Sequence, residues 1–581
     1  MKRETPHVHC VERVDDIPVL LATLNKLKVA EILDRHYSTG HRWKGELTFG
    51  EVACVWIAFI TSQGDHRLCQ LQPWAEANLH LLQATLGKPV RPLDFQDDRL
   101  ADILDHLAGD KTHDHLAWLD FEVDLNQHTV RVYHLDADFF RIDTTTANTY
   151  VEVRDELGYI QFGHSKDRDD LPQIKIPLAT LDPLGMPVTT VVVPGNCADD
   201  PLYVPEIKKV QQAFSQTGKT FAMDCKGMSL DTRAYLASTL DYYLGPLSET
   251  QVSAEQRRAL LQPVWQGRQR LSAVYRPGDE DLEEELVAEG FCLDVPLSRE
   301  VGQKQVEWTE RRWLVRSLAY AAGQHKQLDR RLQKASEQLA GLDERKQGKK
   351  RLTAREMAAA AEEIVTKHRV EDMLDWQVKT TTHKRKVRAY RDRPERVQKE
   401  QEHRLEVKRR EEVIEQAKQE MGWRVYATNQ KTLNLGAVVW GYRGQNRLED
   451  NYGRLKGQPL GLTPMYLQHE SRIMGLVLLL SIALRLLSVL EWSVRKKLQE
   501  KGETLKGLYP GQPGRKTKRP SAELLLGAFK GIHMTILLVA GELVAHITAL
   551  SVLQLKLLEL WDLPPDLYFR LTLHFGEPPP I

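Results

Sequence analysis

The sequence predicts an α/β fold with helical regions before and after the sheet-forming part. Through about residue 125 apolar residues recur at helical spacing, and from about residue 129 the apolar period shortens to two, as it does in β-strands. Strand-like segments then alternate with helix-like ones, which is the pattern of mixed α/β domains. The 581 residues suffice for several domains and at least one large core.

The composition points to a cytoplasmic protein. Charged residues make up 28 % of the chain, and 80 Lys and Arg balance 80 Asp and Glu, which argues against a uniformly basic surface but permits local basic faces. The six cysteines are widely spread without a Cys-x-x-Cys pair, as expected for free thiols in a reducing compartment. His7, His9 and Cys10 offer metal ligands, but we expect a frayed polar terminus there.

Residues 1–125 are predicted to form a compact helical domain. Segment 19–33 has apolar residues at helical spacing, and segment 99–107 continues that pattern. Thr48 and Glu51 have the spacing of a helix-capping box in front of an apolar helix that runs to about residue 61. The domain is either a bundle that only packs or a module that binds DNA ends, and the sequence leaves both open.

Residues 126–245 are predicted to form the first part of the sheet. The expected strands are 130–133, 139–144, 175–182, 188–193 and 221–223. Helices are expected at 201–213 and 229–238. Asp199 and Asp200 come just before the first of these helices, so we interpret them as its N-terminal caps.

Residues 246–420 are predicted to interrupt the core with an insertion of short strands and long basic helices. Strand-like segments occur at 291–295 and 305–308, and a charged, helix-rich stretch runs from about residue 317 to 420. Basic residues cluster at 346–351 and 384–396. These clusters belong either to a solvated helical hairpin or to a phosphate-binding surface.

The core is predicted to resume over residues 421–500, and residues 501–581 are predicted to form a loop and helices. A strand is expected at 423–429 and a helix from about 435 to 456. Segments 473–492 and 535–553 are long enough to span a membrane. Each contains charged or titratable residues inside the span, so we interpret both as buried core helices and expect no membrane.

Three carboxylates stand out by their positions. Asp143 lies on or just after an early strand, Asp224 ends a separate strand, and Glu449 lies within the helix expected near 435–456. Strand ends at one edge of a sheet can bring carboxylates close together, and a helix packed across that edge can add the third. Such a site suits two divalent metal ions, which can hold the attacking and leaving oxygens of a displacement at phosphorus.

The helix around Glu449 carries further polar groups. Tyr442, Glu449 and Lys456 are seven residues apart, and Gln445 is four before Glu449, so all are expected on one helical face. Arginines are expected on neighbouring faces of this helix at Arg443, Arg447 and Arg454. Lys456 can offer a point charge to a phosphate. The alternative is a solvated helix with ordinary ion pairs.

The segment Gly163-His164-Ser165-Lys166-Asp167-Arg168 is a polar, basic turn between two expected strands. Its His164 and Lys166 are candidates for contacts to a DNA backbone near Asp143. As a turn it needs no such function, and that alternative stays open.

Short motifs in a fixed order resemble bacterial insertion-sequence transposases of the IS4-like superfamily, and most closely the IS1634 family. The motifs that carry the resemblance are Asp143-Thr144-Thr145, Gly163-His164-Ser165-Lys166-Asp167, Asp170-Leu171-Pro172-Gln173, Leu181-Asp182-Pro183-Leu184-Gly185, Asp199-Asp200-Pro201-Leu202-Tyr203 and Asp224-Cys225-Lys226-Gly227-Met228. Tyr442, Glu449 and Lys456 match three positions of the superfamily signature Tyr-x2-Arg-x3-Glu-x6-Lys. Gln445 stands at the Arg position.

The resemblance implies an enzyme with a ribonuclease-H-like core, interrupted by an insertion between the second Asp and the Glu. Asp143, Asp224 and Glu449 (a DDE triad) would bind two Mg²⁺ or Mn²⁺ ions, and Tyr442 and Lys456 would hold the terminal phosphates. The enzyme would cut the terminal inverted repeats of its element and join them to target DNA. A homodimer on double-stranded DNA, at the nucleoid of a bacterial cytoplasm, is implied.

Two other functions compete with this interpretation. A metal-dependent nuclease without strand transfer would use the same triad. A non-catalytic DNA-binding protein derived from a transposase would not need it, and the presence of all three acids argues against that alternative.

Overall fold

The computed structural model describes residues 7–38, 43–109, 116–165, 168–276, 285–343, 352–387, 396–465, 467–539 and 541–573. The chain is a mixed α/β protein that divides into two compact units. The first unit comprises 1–245, 296–308 and 441–581, and the second comprises 246–295 and 309–440. The three candidate carboxylates all belong to the first unit.

The N-terminal region is a strand followed by a series of helices. The elements are β1 (His7–Arg13), α1 (Ile17–Lys26), α2 (Val29–His36), α3 (Phe49–Gln63), α4 (Leu68–Ala77), α5 (Leu79–Leu86), α6 (Asp97–Ala108) and α7 (Leu116–Tyr133). The capping box at the start of α3 is confirmed. Thr48 Oγ1 accepts from the Glu51 amide at 3.2 Å, and Glu51 Oε2 accepts from the Thr48 amide at 2.9 Å.

Two expectations for this region are wrong. The terminus is ordered from His7, because β1 pairs antiparallel with His533–Val539 near the other end of the chain. The strand expected at 130–133 is the last turn of α7. That helix buries Phe121, Leu125 and Thr129 at a spacing of four. The alternation at 130–133 is too short to distinguish a strand from a helix.

The sheet of the first unit is mixed. Its elements are β2 (Phe139–Asn148), β3 (Gln173–Leu181), β4 (Met186–Thr190), β5 (Val193–Pro194), α8 (Tyr203–Ala213), β6 (Thr220–Met223), α9 (Leu230–Ser238) and β7 (Tyr242–Pro246). The strand order is β4-β3-β2-β6-β7, and β5 pairs with β3. β2, β3 and β4 pair antiparallel, whereas β6 and β7 run parallel to β2.

Asp199 does not cap a helix through its side chain, so that interpretation is wrong. Its Oδ1 instead accepts from Lys175 Nζ at 2.7 Å. Lys175 lies on β3 and is buried, and a buried ammonium needs a charged partner. Asp199 therefore ties the segment before α8 to the sheet.

The chain between residues 254 and 428 contains strands, helices and a long hairpin. The elements are α10 (Ala254–Trp265), β8 (Ser272–Tyr275), β9 (Leu286–Val301), β10 (Lys304–Ser317), α11 (Leu318–Ala340), α12 (Ala354–His368), β11 (Leu374–Val387), β12 (Arg396–Arg409), α13 (Glu411–Glu420) and β13 (Trp423–Thr428). Short strands and two long helices were expected here, but a long hairpin was not.

The helical interpretation of the basic stretch near 384–396 is wrong. β11 and β12 pair antiparallel from Leu374 opposite Arg409 to Val387 opposite Arg396. β-branched residues at 380–382 favour a strand there, and Leu374 and Leu405 pack into one cluster with the apolar faces of α11 and α12. Residues 344–351 and 388–395, which hold most of the basic clusters, lie outside the described residues, so phosphate binding by them stays a prediction.

The chain returns to the first unit at residue 441, within the first element of its C-terminal part. Its elements are α14 (Leu435–Arg443), α15 (Asn446–Lys456), α16 (Glu470–Lys501), β14 (Leu505–Lys506), β15 (Lys516–Thr517), α17 (Ala522–Gly527), β16 (His533–Val539), β17 (Glu542–Ile547), α18 (Val552–Leu560) and α19 (Arg570–Leu573). The helix expected at 435–456 is broken between α14 and α15. A Cβ on Gly444, at this break, would lie 2.1 Å from Arg141 Nη2, so a glycine is required.

The two long apolar segments have different outcomes. Among the described residues, α16 is long and apolar enough to cross a membrane, and its most apolar stretch is entirely buried within the structure, as expected for a core helix. Its Arg485 is also buried, donating to Asn126 Oδ1 at 2.5 Å and to the Pro187 carbonyl at 2.7 Å. The expectation of a helix at 535–553 is wrong, because most of this segment forms the β16–β17 hairpin, whose β16 pairs with β1.

Candidate functional site

Asp143 and Asp224 lie side by side where β6 ends beside the middle of β2. β2 and β6 are parallel neighbours, and their last paired residues are Ile142 and Met223. Asp143 comes directly after Ile142, and Asp224 comes directly after Met223. Neighbouring strands are about 4.8 Å apart, so the two side chains start from adjacent points. A parallel register, rather than two independent loops, therefore brings these acids together.

One oxygen of Asp224 is held by three donors. Asp224 Oδ1 accepts from the Tyr203 hydroxyl at 2.6 Å, from the Lys226 amide at 2.9 Å and from the Gly227 amide at 3.1 Å. A Cβ on Gly227 would lie 2.5 Å from Tyr203 Cε1, so the turn must have glycine there. Within the described residues Oδ2 accepts no hydrogen bond, which leaves the second oxygen oriented and able to bind a ligand.

Tyr452 on α15 brings a second buried phenol to the same place. Burial raises its pKa, and the negative charges of Asp143 and Asp224 raise it further. The pKa of Tyr203 is raised by burial and then by the charges of Asp224 and Asp143. Both phenols therefore stay protonated at neutral pH, and both lie within electrostatic range of both carboxylates.

One face of α15 combines buried polar groups with an exposed carboxylate. Gln445, Glu449, Tyr452 and Lys456 fall within about 60° of one another around the helix. Gln445 and Tyr452 are buried, and in the described part of the chain the Gln445 amide and the Tyr452 hydroxyl have no hydrogen-bond partner. Glu449 is exposed, and its carboxylate forms no hydrogen bond or ion pair with any described residue. Glu449 thus stands where the buried face opens to solvent.

A buried ion-pair network fixes α15 against the sheet. Arg141 on β2 donates to Asp182 Oδ1 at 3.0 Å and to Oδ2 at 2.6 Å, and it also donates to the Gly441 carbonyl at 2.7 Å. Arg447 on α15 donates to the same Asp182 Oδ2 at 2.8 Å. Asn451 adds a hydrogen bond from Nδ2 to the Gly185 carbonyl at 2.5 Å. The turn between β3 and β4 therefore positions the helix that carries Glu449.

The other predicted DNA-contacting residues have varied positions. Tyr442 and Arg443 end α14, so the inference that Tyr442 shares one continuous helical face with Glu449 is wrong. Lys456 ends α15 and is half-buried. His164 is exposed in the segment between β2 and β3, and Lys166 lies outside the described residues. Arg447 is 41 % exposed despite its ion pair with Asp182, so its guanidinium still reaches solvent.

The candidate carboxylates are the kind of oxygen donor that a divalent cation prefers, but among the described residues their oxygens do not all lie within 4.8 Å of one another. Asp143, Asp224 and Glu449 supply carboxylates, and Asp224 and Glu449 form no ion pair with any residue that the structure describes. Carboxylate oxygens with room left for water and phosphate oxygens are the environment of Mg²⁺ in phosphoryl-transfer sites. The buried phenol and amide without partners are further polar groups that a hydrated ion or a phosphate would satisfy.

Sequence reasoning missed Tyr203 and Tyr452 as parts of this site. Tyr203 was quoted only as part of a motif, although it is the first residue of α8 and its hydroxyl donates to Asp224. Tyr452 lies three residues after Glu449, a spacing that places two side chains on one helical face. That spacing was available as a signal.

Comparisons with known proteins identify no family. The chain matches no protein-family model and no curated protein sequence. Among solved structures it is similar to the piggyBac transposase in a synaptic complex with hairpin DNA, with a TM-score of 0.33 and 8 % identity over 91 % of this chain and 83 % of that chain. We base neither the fold nor the function of this protein on a likeness of that size.

Replacing Tyr203 by phenylalanine is expected to slow metal-dependent chemistry at this site about 10- to 100-fold, because Asp224 Oδ1 loses one of its orienting donors. The rate should fall together with metal affinity, as measured by the Mg²⁺ concentration that gives half-maximal rate. Tyr235→Phe is the matched control, since it removes a hydroxyl that donates to Gln211 Oε1 at 2.8 Å on α8. Equal losses in both variants would contradict a specific role for Tyr203.

Proposed function

We propose that this protein is a DNA transposase of an insertion sequence, of the IS4-like superfamily and the IS1634 family that its motifs resemble. It would cut the ends of its element and join them to target DNA. The observation that carries the proposal is the placement of Asp143 and Asp224 on adjacent parallel strands, beside a helix that bears Glu449. Tyr452 lies on the same helix as Glu449, and the negative charges of both aspartates raise its pKa. It therefore connects this helix with the two strands.

The proposed core is ribonuclease-H-like. Support comes from three antiparallel strands followed by a helix, a parallel strand, a second helix and a further parallel strand. The sequence predicted the order from β2 to α9, but it did not predict β7. In this order Asp143 lies on a strand of the sheet, and Asp224 directly follows another strand of the same sheet. Residues on strands and helices hold reacting groups more closely than residues on loops do.

In the proposed site Asp143, Asp224 and Glu449 would hold two Mg²⁺ or Mn²⁺ ions. Such ions supply an activated water and stabilise the charge on the attacking and leaving oxygens at phosphorus. The residues of this chain then divide the remaining tasks. Tyr203 orients Asp224, and Lys456 and Tyr442 contribute a charge and a hydroxyl for a terminal phosphate.

The proposed partner is double-stranded DNA, in the form of terminal inverted repeats and target DNA. Candidate contacts are Tyr442, Arg443, Gln445, Arg447, Lys456, His164 and Lys166. Because two ends must be cut and joined together, we also propose a homodimer on DNA. A bacterial cytoplasm, at the nucleoid and without membrane attachment, is the proposed location.

The proposal is tested by incubating the purified full chain with the DNA that flanks its own gene, in Mg²⁺ and separately in Mn²⁺. We expect nicks at the boundary of the inverted repeats, followed by products in which element ends are joined to new DNA. Degradation without regard to sequence would instead identify a nuclease. Binding without cleavage in either metal would identify a non-catalytic DNA-binding protein.

A further inference from the structure

A second cluster of metal-ligand types lies in the N-terminal part of the first unit. His9 and Cys10 on β1 and His80 on α5 each place a ligand atom within 4.8 Å of the others. None of these residues belongs to the proposed catalytic site. The set differs chemically from the carboxylates there, because it consists of two imidazoles and a thiol.

A β-bulge explains how two successive residues of one strand reach the same place. In a regular strand His9 and Cys10 would point to opposite faces of the sheet. Between β1 and β16, however, Val8 pairs with Leu537 and Cys10 pairs with Ile536, so His9 is an extra residue without a counterpart. A bulge of this kind redirects a side chain locally. Here it brings His9 to the side of Cys10.

Glu12 fixes the third member. Glu12 Oε1 lies 2.6 Å from His80 Nδ1 and accepts from the His80 amide at 3.1 Å, while Oε2 accepts from the Leu81 amide at 2.7 Å. The carboxylate is buried, and it accepts from the imidazole in the tautomer that carries its proton on Nδ1. The lone pair of the ring is then on Nε2. A carboxylate behind an imidazole is the usual arrangement for metal-bound histidines.

The remaining distances suit a shared ion. The ligand atoms of the three side chains lie within 4.8 Å of one another, and the rings of His9 and His80 are 5.9 Å apart between centroids, edge to face. Cys10 Sγ also lies 3.7 Å from His80 Nδ1, the nitrogen that faces Glu12. His9 is exposed and the other two residues are half-buried, so an ion can enter from solvent. An ion that bound all three would connect the N-terminal strand to α5.

We propose that His9, Cys10 and His80 form a Zn²⁺ site, with a water molecule as the fourth ligand and Glu12 as the positioning residue behind His80. Two imidazoles and one thiolate match the ligand preferences of Zn²⁺, whereas Mg²⁺ and Ca²⁺ prefer oxygen ligands. An ion bound there would tie β1 to α5. It does not depend on the proposed function, because no residue is shared with the carboxylate site.

Cobalt substitution tests this site directly, because a thiolate bound to Co²⁺ gives a charge-transfer absorption that oxygen ligands do not give. The reduced, metal-free full chain is titrated with Co²⁺ and then with Zn²⁺. We expect the thiolate band to saturate at one ion per chain and to be displaced by Zn²⁺. Cys10→Ser should remove the band, and Glu12→Gln should lower the Co²⁺ affinity about 10- to 100-fold.

Cys69→Ser is the matched control, since Cys69 is an exposed thiol elsewhere in the same helical region. It should leave the band unchanged. His9→Gln changes an exposed side chain and so tests the site without disturbing the core; it should lower Co²⁺ affinity at least tenfold and reduce the rise in melting temperature that Zn²⁺ gives. No thiolate band in the folded wild-type chain, or a band that survives in Cys10→Ser or is unaffected in His9→Gln, would overturn the proposal.

Discussion

Asp224→Asn is expected to abolish the cutting and joining of DNA while the chain stays folded. The asparagine carbonyl can still accept from Tyr203, Lys226 and Gly227, as Asp224 Oδ1 does, so the local turn is preserved. The amide nitrogen replaces Oδ2, however, and a donor without charge cannot bind a cation. We expect the cleavage rate to fall at least about a thousandfold, equivalent to about 4 kcal/mol of transition-state stabilisation.

Asp138→Asn is the matched control for this prediction. Asp138 is exposed and directly precedes β2, the strand that carries Asp143, so the same chemical change is made just before that strand. Its cleavage rate should stay within about twofold of the wild type. The assay compares initial rates on flanking DNA, with DNA binding measured separately by mobility shift. Residual cleavage by Asp224→Asn within tenfold of the wild type would remove Asp224 from the proposed triad.

The sequence could place Asp143 and Asp224 at strands because the signal for a strand is local. A short apolar run ends at each aspartate, and its β character is readable without knowledge of the rest of the chain. The capping box at Thr48 was readable for the same reason. Which strands pair, and in which register, depends on contacts between distant residues, so the adjacency of the two aspartates required the structure.

The errors arise where tertiary contacts override local preference. The helix expected at 435–456 has no proline inside it, yet it breaks at Gly444, where the guanidinium of Arg141 occupies the space next to the backbone. Segment 535–553 is apolar enough for a helix, but its first part pairs with β1, more than 500 residues away in the chain. A window of neighbouring residues contains no information about either partner.

The network around Asp182 gives the largest expected effect on stability. Arg141 has 1 % of its side chain exposed, and its charge is compensated by Asp182 through two hydrogen bonds. Asp182→Ala would leave that guanidinium buried without a counter-charge, so we expect a loss of about 3–5 kcal/mol in the free energy of unfolding. Asp170→Ala is the matched control, because it breaks an exposed pair with Arg168 and should leave the free energy of unfolding nearly unchanged.

The same network predicts a coupling between stability and catalysis that a simple loss of folding would not produce. Asp182 also accepts from Arg447 on α15, the helix that carries Glu449. Removing Asp182 therefore leaves the Arg141 charge without a partner and also removes a contact that holds α15 in place. In Arg141→Met/Asp182→Asn the buried charge is absent. We therefore expect this double variant to recover most of the free energy of unfolding that Asp182→Ala loses, as measured by thermal and denaturant unfolding. Cleavage should remain impaired in that double variant, because Arg447 still lacks its carboxylate. Recovery of both stability and cleavage would show that Asp182 acts on folding alone and does not position Glu449.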